Sequence, residues 1–136
     1  MPHLIIEHSA NVTDLVDIDT LVESVHNAAL ATGIAPLDAL RTRAVGREHY
    51  AIADRDPANA FIAVTARLGT GRTDAEQRTL IGALMAALDH TLGDAQRNVM
   101  LSVEFQEIDP DLRVNKNNLR PVIAERRARN TTHETE

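Results

Sequence analysis

Cysteine and tryptophan are absent from this 136-residue chain, and Tyr50, Phe61 and Phe105 are its only aromatic residues. Without cysteine there is neither a disulfide framework nor thiol chemistry. Three aromatic rings are too few to build a pocket on stacking. Lys116 is the single lysine, so Schiff-base catalysis has one candidate, in a polar stretch. No apolar run approaches the roughly 20 residues that span a bilayer. No basic segment followed by a long apolar stretch opens the chain, so no signal peptide is expected and a cytoplasmic location follows. A formal net charge of −6 gives nucleic-acid binding no global support. Histidines and carboxylates show no metal-ligand spacing, and the serines sit in no nucleophile elbow. A metalloenzyme and a serine hydrolase both drop out.

What is present begins at the second residue. Pro2 opens the strand-like run Pro2-His3-Leu4-Ile5-Ile6-Glu7. Many chains carry a proline after the initiator methionine with no role for it. If Met1 is removed, however, Pro2 becomes a free secondary amine at the head of an apolar segment. An α-amino group titrates near 7.7–8.0. Burial and neighbouring cations lower that value, which makes the amine a usable general base.

Periodicity predicts a strand from Pro2 to His8, apolar on both faces and therefore central. A helix is predicted over 17–32, where Ile18, Leu21, Val22, Val25 and Ala29 form one stripe and Gly33 supplies the stop. Strands are predicted over 39–45 and 60–68. A second helix starts at the capping box Thr73-Asp74-Ala75-Glu76, carries Leu80, Ile81, Leu84 and Leu88, and ends at Gly93. The alternating run Asn98 to Ile108 is the last strand. The order is a duplicated βαβ unit: an α+β, two-layer domain over residues 1–124 with a mixed four-stranded sheet and two helices on one face. The other face is left to meet another copy of the subunit. Residues 125–136 show no apolar periodicity and are expected to form a mobile tail.

Nearly all positive charge is arginine, which suits bidentate recognition of carboxylates. Arg41 and Arg43 project from the same face of the second strand. They read either as a solvated strand edge or as a carboxylate receptor. Arg72 lies between the Gly69-Thr70-Gly71 break and the second helix, whose start offers unpaired N–H groups to an anion. An ion pair with Asp74 or Glu76 is the alternative for it.

Pro2-His3-Leu4-Ile5-Ile6-Glu7, Ala31-Thr32-Gly33-Ile34, Leu40-Arg41-Thr42-Arg43, Leu68-Gly69-Thr70-Gly71-Arg72-Thr73 and Asn115-Lys116-Asn117-Asn118 together resemble the 5-carboxymethyl-2-hydroxymuconate isomerases of the tautomerase superfamily. The resemblance runs from Met1 to about residue 123. It implies a homotrimer of duplicated βαβ subunits and a cofactor-independent isomerase that moves a proton in a di- or tricarboxylate dienol. Carried over by motif, Pro2 is the base, Arg41 and Arg72 handle the substrate's charge, and Arg43 is a further substrate-binding candidate. No metal and no cofactor are implied, and neither nucleic acid nor membrane is a partner. Other reactions of the superfamily, on 2-hydroxymuconate or aryl pyruvates, or dehalogenation or hydration, are alternatives. A non-catalytic trimer that binds an anion or a protein is another.

Overall fold

The computed structural model describes residues 1–135, with side chains to Thr131. Four strands, β1 (His3–Ser9), β2 (Arg41–Arg47), β3 (Ala60–Gly69) and β4 (Val99–Ile108), form one sheet in the order β2-β1-β3-β4. β1 runs parallel to β2, β3 parallel to β4, and β1 antiparallel to β3. Helix α1 (Ile18–Ala31) connects the first pair and α2 (Asp74–Leu92) the second. This is the duplicated βαβ arrangement, with the apolar strands β1 and β3 at the centre.

The elements form for local reasons. Asp17 caps α1 by accepting from the Thr20 N–H. Thr73 and Glu76 form the reciprocal capping box of α2. Such caps contribute about 1 kcal/mol each. Leu21, Val25 and Ala29 of α1, and Leu80, Leu84 and Leu88 of α2, are fully buried. They cover Leu4 and Ile6 of β1 and Ile62, Val64, Ala66 and Leu68 of β3. Ile81 is only half-buried, and Ala87 and Leu92 take its place in the stripe.

On the opposite face, alternation places Ile5, Arg41, Arg43, Val45, Phe61, Ala63, Thr65 and Met100, with no helix over them. Met100 is 64% exposed there. β2 begins two residues later than the sequence suggests. The N–H groups of Ala39 and Leu40 both donate to the Pro36 carbonyl, at 3.2 and 3.1 Å, so this stretch is a turn. Arg41 is consequently the first strand residue rather than a mid-strand one.

The C-terminal segment differs from expectation. A third helix, α3, spans Leu119–Thr135, so the backbone is regular where a structureless stretch from Glu125 is predicted. Its apolar signal is one turn long, Leu119, Val122 and Ile123, and from Ala124 to Thr131 the residues are exposed. Asn117 Nδ2 donates to the Asp38 carbonyl (2.8 Å) and Arg120 pairs with the Asp38 carboxylate (2.9 Å), which fastens the start of α3 to the turn before β2. Further along, Thr131 Oγ1 donates to the Arg127 carbonyl within the helix. Truncation after Ala124 is expected to leave melting temperature and activity unchanged. A large loss of either would mean that the turns beyond Ala124 dock on a neighbouring subunit. Among the described residues, no helix is long and apolar enough to cross a membrane.

Candidate active site

One end of the sheet gathers the chain's amine and its unpaired arginines. The strand register accounts for this. His3 lies opposite Arg41 on one side and Arg67 on the other. Pro2 and Met1 therefore run alongside the end of β3, where Leu68 and Gly69 lie. The Arg41 N–H donates to the Pro2 carbonyl at 3.3 Å. Pro2 is buried, whereas Met1 lines a cavity of about 320 Å³ with Leu37, Ala39, Arg41, Asn117 and Leu119 among its walls. Lys116 is also at its edge.

Arg72 reaches the same end from the β3–α2 turn. Gly71 has φ +108°, a conformation that side-chain-bearing residues rarely adopt, and it sets the direction in which Arg72 leaves the turn. The guanidinium donates from Nη1 to the Gly69 carbonyl (3.2 Å) and from Nη2 to the Ile34 carbonyl (3.3 Å). Its Nε is buried with no acceptor. The helix-cap ion pair does not form. Glu76 is engaged by Thr73, and the ion pairs among the described residues are Arg47–Glu7 and Arg120–Asp38. Arg72 is thus held by two neutral carbonyls and keeps an N–H for a ligand.

Arg41 is exposed and is the nearer of the two β2 arginines to Pro2. Arg43 lies two residues further along, outside the cavity lining, and its Nη1 donates to His3 Nδ1 at 3.1 Å. Because arginine only donates, Nδ1 accepts and His3 is the neutral, Nε2-protonated tautomer. Burial first, then Arg41, Arg43 and Arg67, lower the His3 pKa to about 4. The sequence thus places Pro2, Arg41 and Arg72 at one site, and the fold brings these three together. Arg43 is engaged elsewhere.

Sequence reasoning missed Arg113 and Arg120, which follow β4. The Met1 amine has its pKa lowered by burial, then by Arg113, Arg41, Arg72 and Arg120 in that order. This amine is one residue before the Pro2 nitrogen, which is an amide while Met1 is attached. The only sequence signal for these two arginines is their position on either side of Asn115-Lys116-Asn117-Asn118. Among the described residues, no group of three or more histidines or carboxylates could hold a metal ion.

Two βαβ units in one mixed sheet, with a terminal amine set among arginines at its end, define an isomerase of the tautomerase superfamily. The family model for 5-carboxymethyl-2-hydroxymuconate isomerase matches residues 2–123, and the chain belongs to that family. It is 33% identical over 122 residues to the 5-carboxymethyl-2-hydroxymuconate Delta-isomerase of Escherichia coli, covering 88% of this chain and 96% of that one. The crystal structure of a 5-carboxymethyl-2-hydroxymuconate isomerase from Deinococcus radiodurans R1 superposes with a TM-score of 0.81 at 31% identity, covering 90% of this chain and 93% of that one. A fused 4-OT described as a symmetric trimer shares the fold alone, with a TM-score of 0.62 at 15% identity over 84% of this chain and 93% of that one.

Proposed function

We propose that this isomerase converts 5-carboxymethyl-2-hydroxymuconate to its 2-oxo-3-ene isomer, with the amine of Pro2, freed by removal of Met1, as the single general base and acid. The observation that carries the reading is the set of arginines that faces the amine end of β1, two of them with a buried N–H that has no acceptor. The substrate is a tricarboxylate, and such a field attracts and orients it.

The reaction moves one proton. The neutral amine takes the proton of the 2-hydroxyl, the oxygen becomes a carbonyl, and the two conjugated double bonds collapse to one between carbons 3 and 4. The same proton is delivered to carbon 5. Between these events the substrate is a dienolate. A guanidinium near the 2-oxygen stabilises it, and losing such a contact typically costs about 2.7–4 kcal/mol in the barrier. Arg72 is suited to this part, because its two carbonyl contacts fix the guanidinium at the amine end of the sheet. Arg41, exposed at the mouth, suits a substrate carboxylate. Arg43, engaged with His3, is assigned no direct carboxylate.

The pH profile tests the base. Burial and four cations disfavour the protonated Met1 amine, and the Pro2 amine one residue on is expected to titrate below the ordinary α-amino range of about 7.7–8.0 for the same reason. The active, neutral form is present above that lowered pKa and is lost as pH falls through it. kcat/KM should therefore rise with pH and level off, with a midpoint clearly below 8. His3, at about 4, cannot supply this limb. A midpoint at or above 8 contradicts the assignment.

The oligomer is part of the same proposal. Ile5, Val45, Phe61 and Met100 lie on a sheet face that no helix of the subunit covers. Arg41 and Arg43 emerge on that face, so a neighbouring subunit would border the cavity. A homotrimer is expected in sedimentation velocity at micromolar concentration, and a monomer would defeat this arrangement.

A further inference from the structure

Arg113 lies outside the sequence motifs and has no substrate contact in the reaction above. We propose that it binds the third carboxylate of the substrate and so sets a preference for tricarboxylate over dicarboxylate dienols. This rests on the isomerase reading of the site and assigns a residue within it.

The seat of Arg113 is Gly69, the last residue of β3. A Cβ placed at Gly69 would lie 2.7 Å from Arg113 Nη2 and 2.9 Å from Nη1. Only glycine lets the guanidinium lie so close against the strand end. The carbonyl of the same Gly69 accepts from Arg72 Nη1 at 3.2 Å. Two guanidiniums therefore meet at one residue, beside the start of β1. Arg113 Nη1 is buried and has no acceptor, as is Arg72 Nε.

Among the described residues no carboxylate forms an ion pair with Arg72 or Arg113. Asp111, the nearest acid in sequence, forms no ion pair with Arg113, and two further acids are engaged by other donors. Asp109 accepts from the Asp111 N–H within its own turn, and Glu107 accepts from Gln77 Nε2. Like charges gathered without a counter-ion, with buried N–H groups left open, form an anion subsite. Arg113 is also the strongest of the four cations that depress the pKa of the Met1 amine, which places its charge at the reacting end rather than on the outer surface. Arg41, Arg72 and Arg113 then supply one guanidinium for each of three anionic groups.

The test compares wild type with Arg113→Gln and Gly69→Ala on 5-carboxymethyl-2-hydroxymuconate and on 2-hydroxymuconate, which lacks the third carboxylate. On the high-pH plateau, where the amine is neutral in both proteins, Arg113→Gln should raise KM for the tricarboxylate about tenfold or more and lower kcat/KM for it at least about tenfold more than for 2-hydroxymuconate. Gly69→Ala keeps the charge but displaces the guanidinium, and should shift the preference in the same direction. Equal losses on both substrates, or no loss on either, would overturn the assignment. So would a change in sedimentation with the preference intact, which would make Arg113 an intersubunit ion-pair residue. If wild type turns over neither dienol, the isomerase reading fails, and calorimetry decides Arg113 alone. Weaker binding of propane-1,2,3-tricarboxylate but not of glutarate by Arg113→Gln supports the subsite, and unchanged binding of both overturns it.

Discussion

Replacing Pro2 with alanine should lower kcat/KM on 5-carboxymethyl-2-hydroxymuconate by about 10²-fold, at the low end of what a positioned general base contributes. The loss is not complete for a physical reason. Removal of Met1 from the variant leaves the primary amine of the introduced alanine, still set in the field of Arg41, Arg72, Arg113 and Arg120 that lowers the terminal pKa. What is lost is the ring. Pro2 is buried at the head of β1, and its pyrrolidine ring ties the nitrogen to its own side chain and so fixes the direction of the lone pair. An alanine amine turns more freely and meets the 2-hydroxyl less often. The pH midpoint should stay below 8, because the field is unchanged. The measurement is steady-state kinetics of both proteins after mass spectrometry has confirmed their amino termini. Undiminished kcat/KM in the variant would end the proposal that Pro2 is the base.

The second large effect separates two arginines that the sequence treats alike. Arg72→Ala should reduce kcat/KM by about 10²–10³-fold, the loss expected when a fixed donor to a developing oxyanion is removed. It should also lower the melting temperature by several degrees. Arg72 donates to the carbonyls of Gly69 and Ile34, and a buried acceptor left without a partner costs about 1–3 kcal/mol. Arg41 is exposed, and only its backbone N–H, which the substitution keeps, bonds within the site. Arg41→Ala should therefore cost about tenfold or more in kcat/KM, with the melting temperature nearly unchanged. Losses below about tenfold, roughly 1.4 kcal/mol, would remove either residue from the anion site.

The parts of this architecture that were legible in the sequence rest on strong local patterns. The stripes of α1 and α2, their caps and the alternation in β4 each repeat over several turns or pleats. Strands with two apolar faces read as central because only central strands of a covered sheet bury both. The start of β2 was misplaced by two residues, because the Pro36 carbonyl takes the N–H groups of Ala39 and Leu40, and that turn competes with strand pairing on tertiary grounds. α3 left little trace, since one apolar turn precedes a run of charged, exposed residues with no apolar stripe to signal a helix.

Within the site, Pro2 and Arg72 were legible because each is tied to a local constraint, a chain terminus or a glycine break. Arg113 was not. Its neighbours in sequence say nothing of Gly69, far earlier in the chain, and only the sheet register brings the two together. The same holds for Asp38, which holds Asn117 and Arg120 from the far side of the chain.

The most direct test of the account compares two forms of the wild-type chain that differ only in Met1. With Met1 retained, the Pro2 nitrogen is an amide and accepts no proton. With Met1 removed, it is a free amine in the arginine field. Each form is verified by intact mass, and initial rates are measured on 5-carboxymethyl-2-hydroxymuconate at one pH on the plateau. The account predicts a processed form at least about 10²-fold more active than the form that keeps Met1. Equal rates would contradict it.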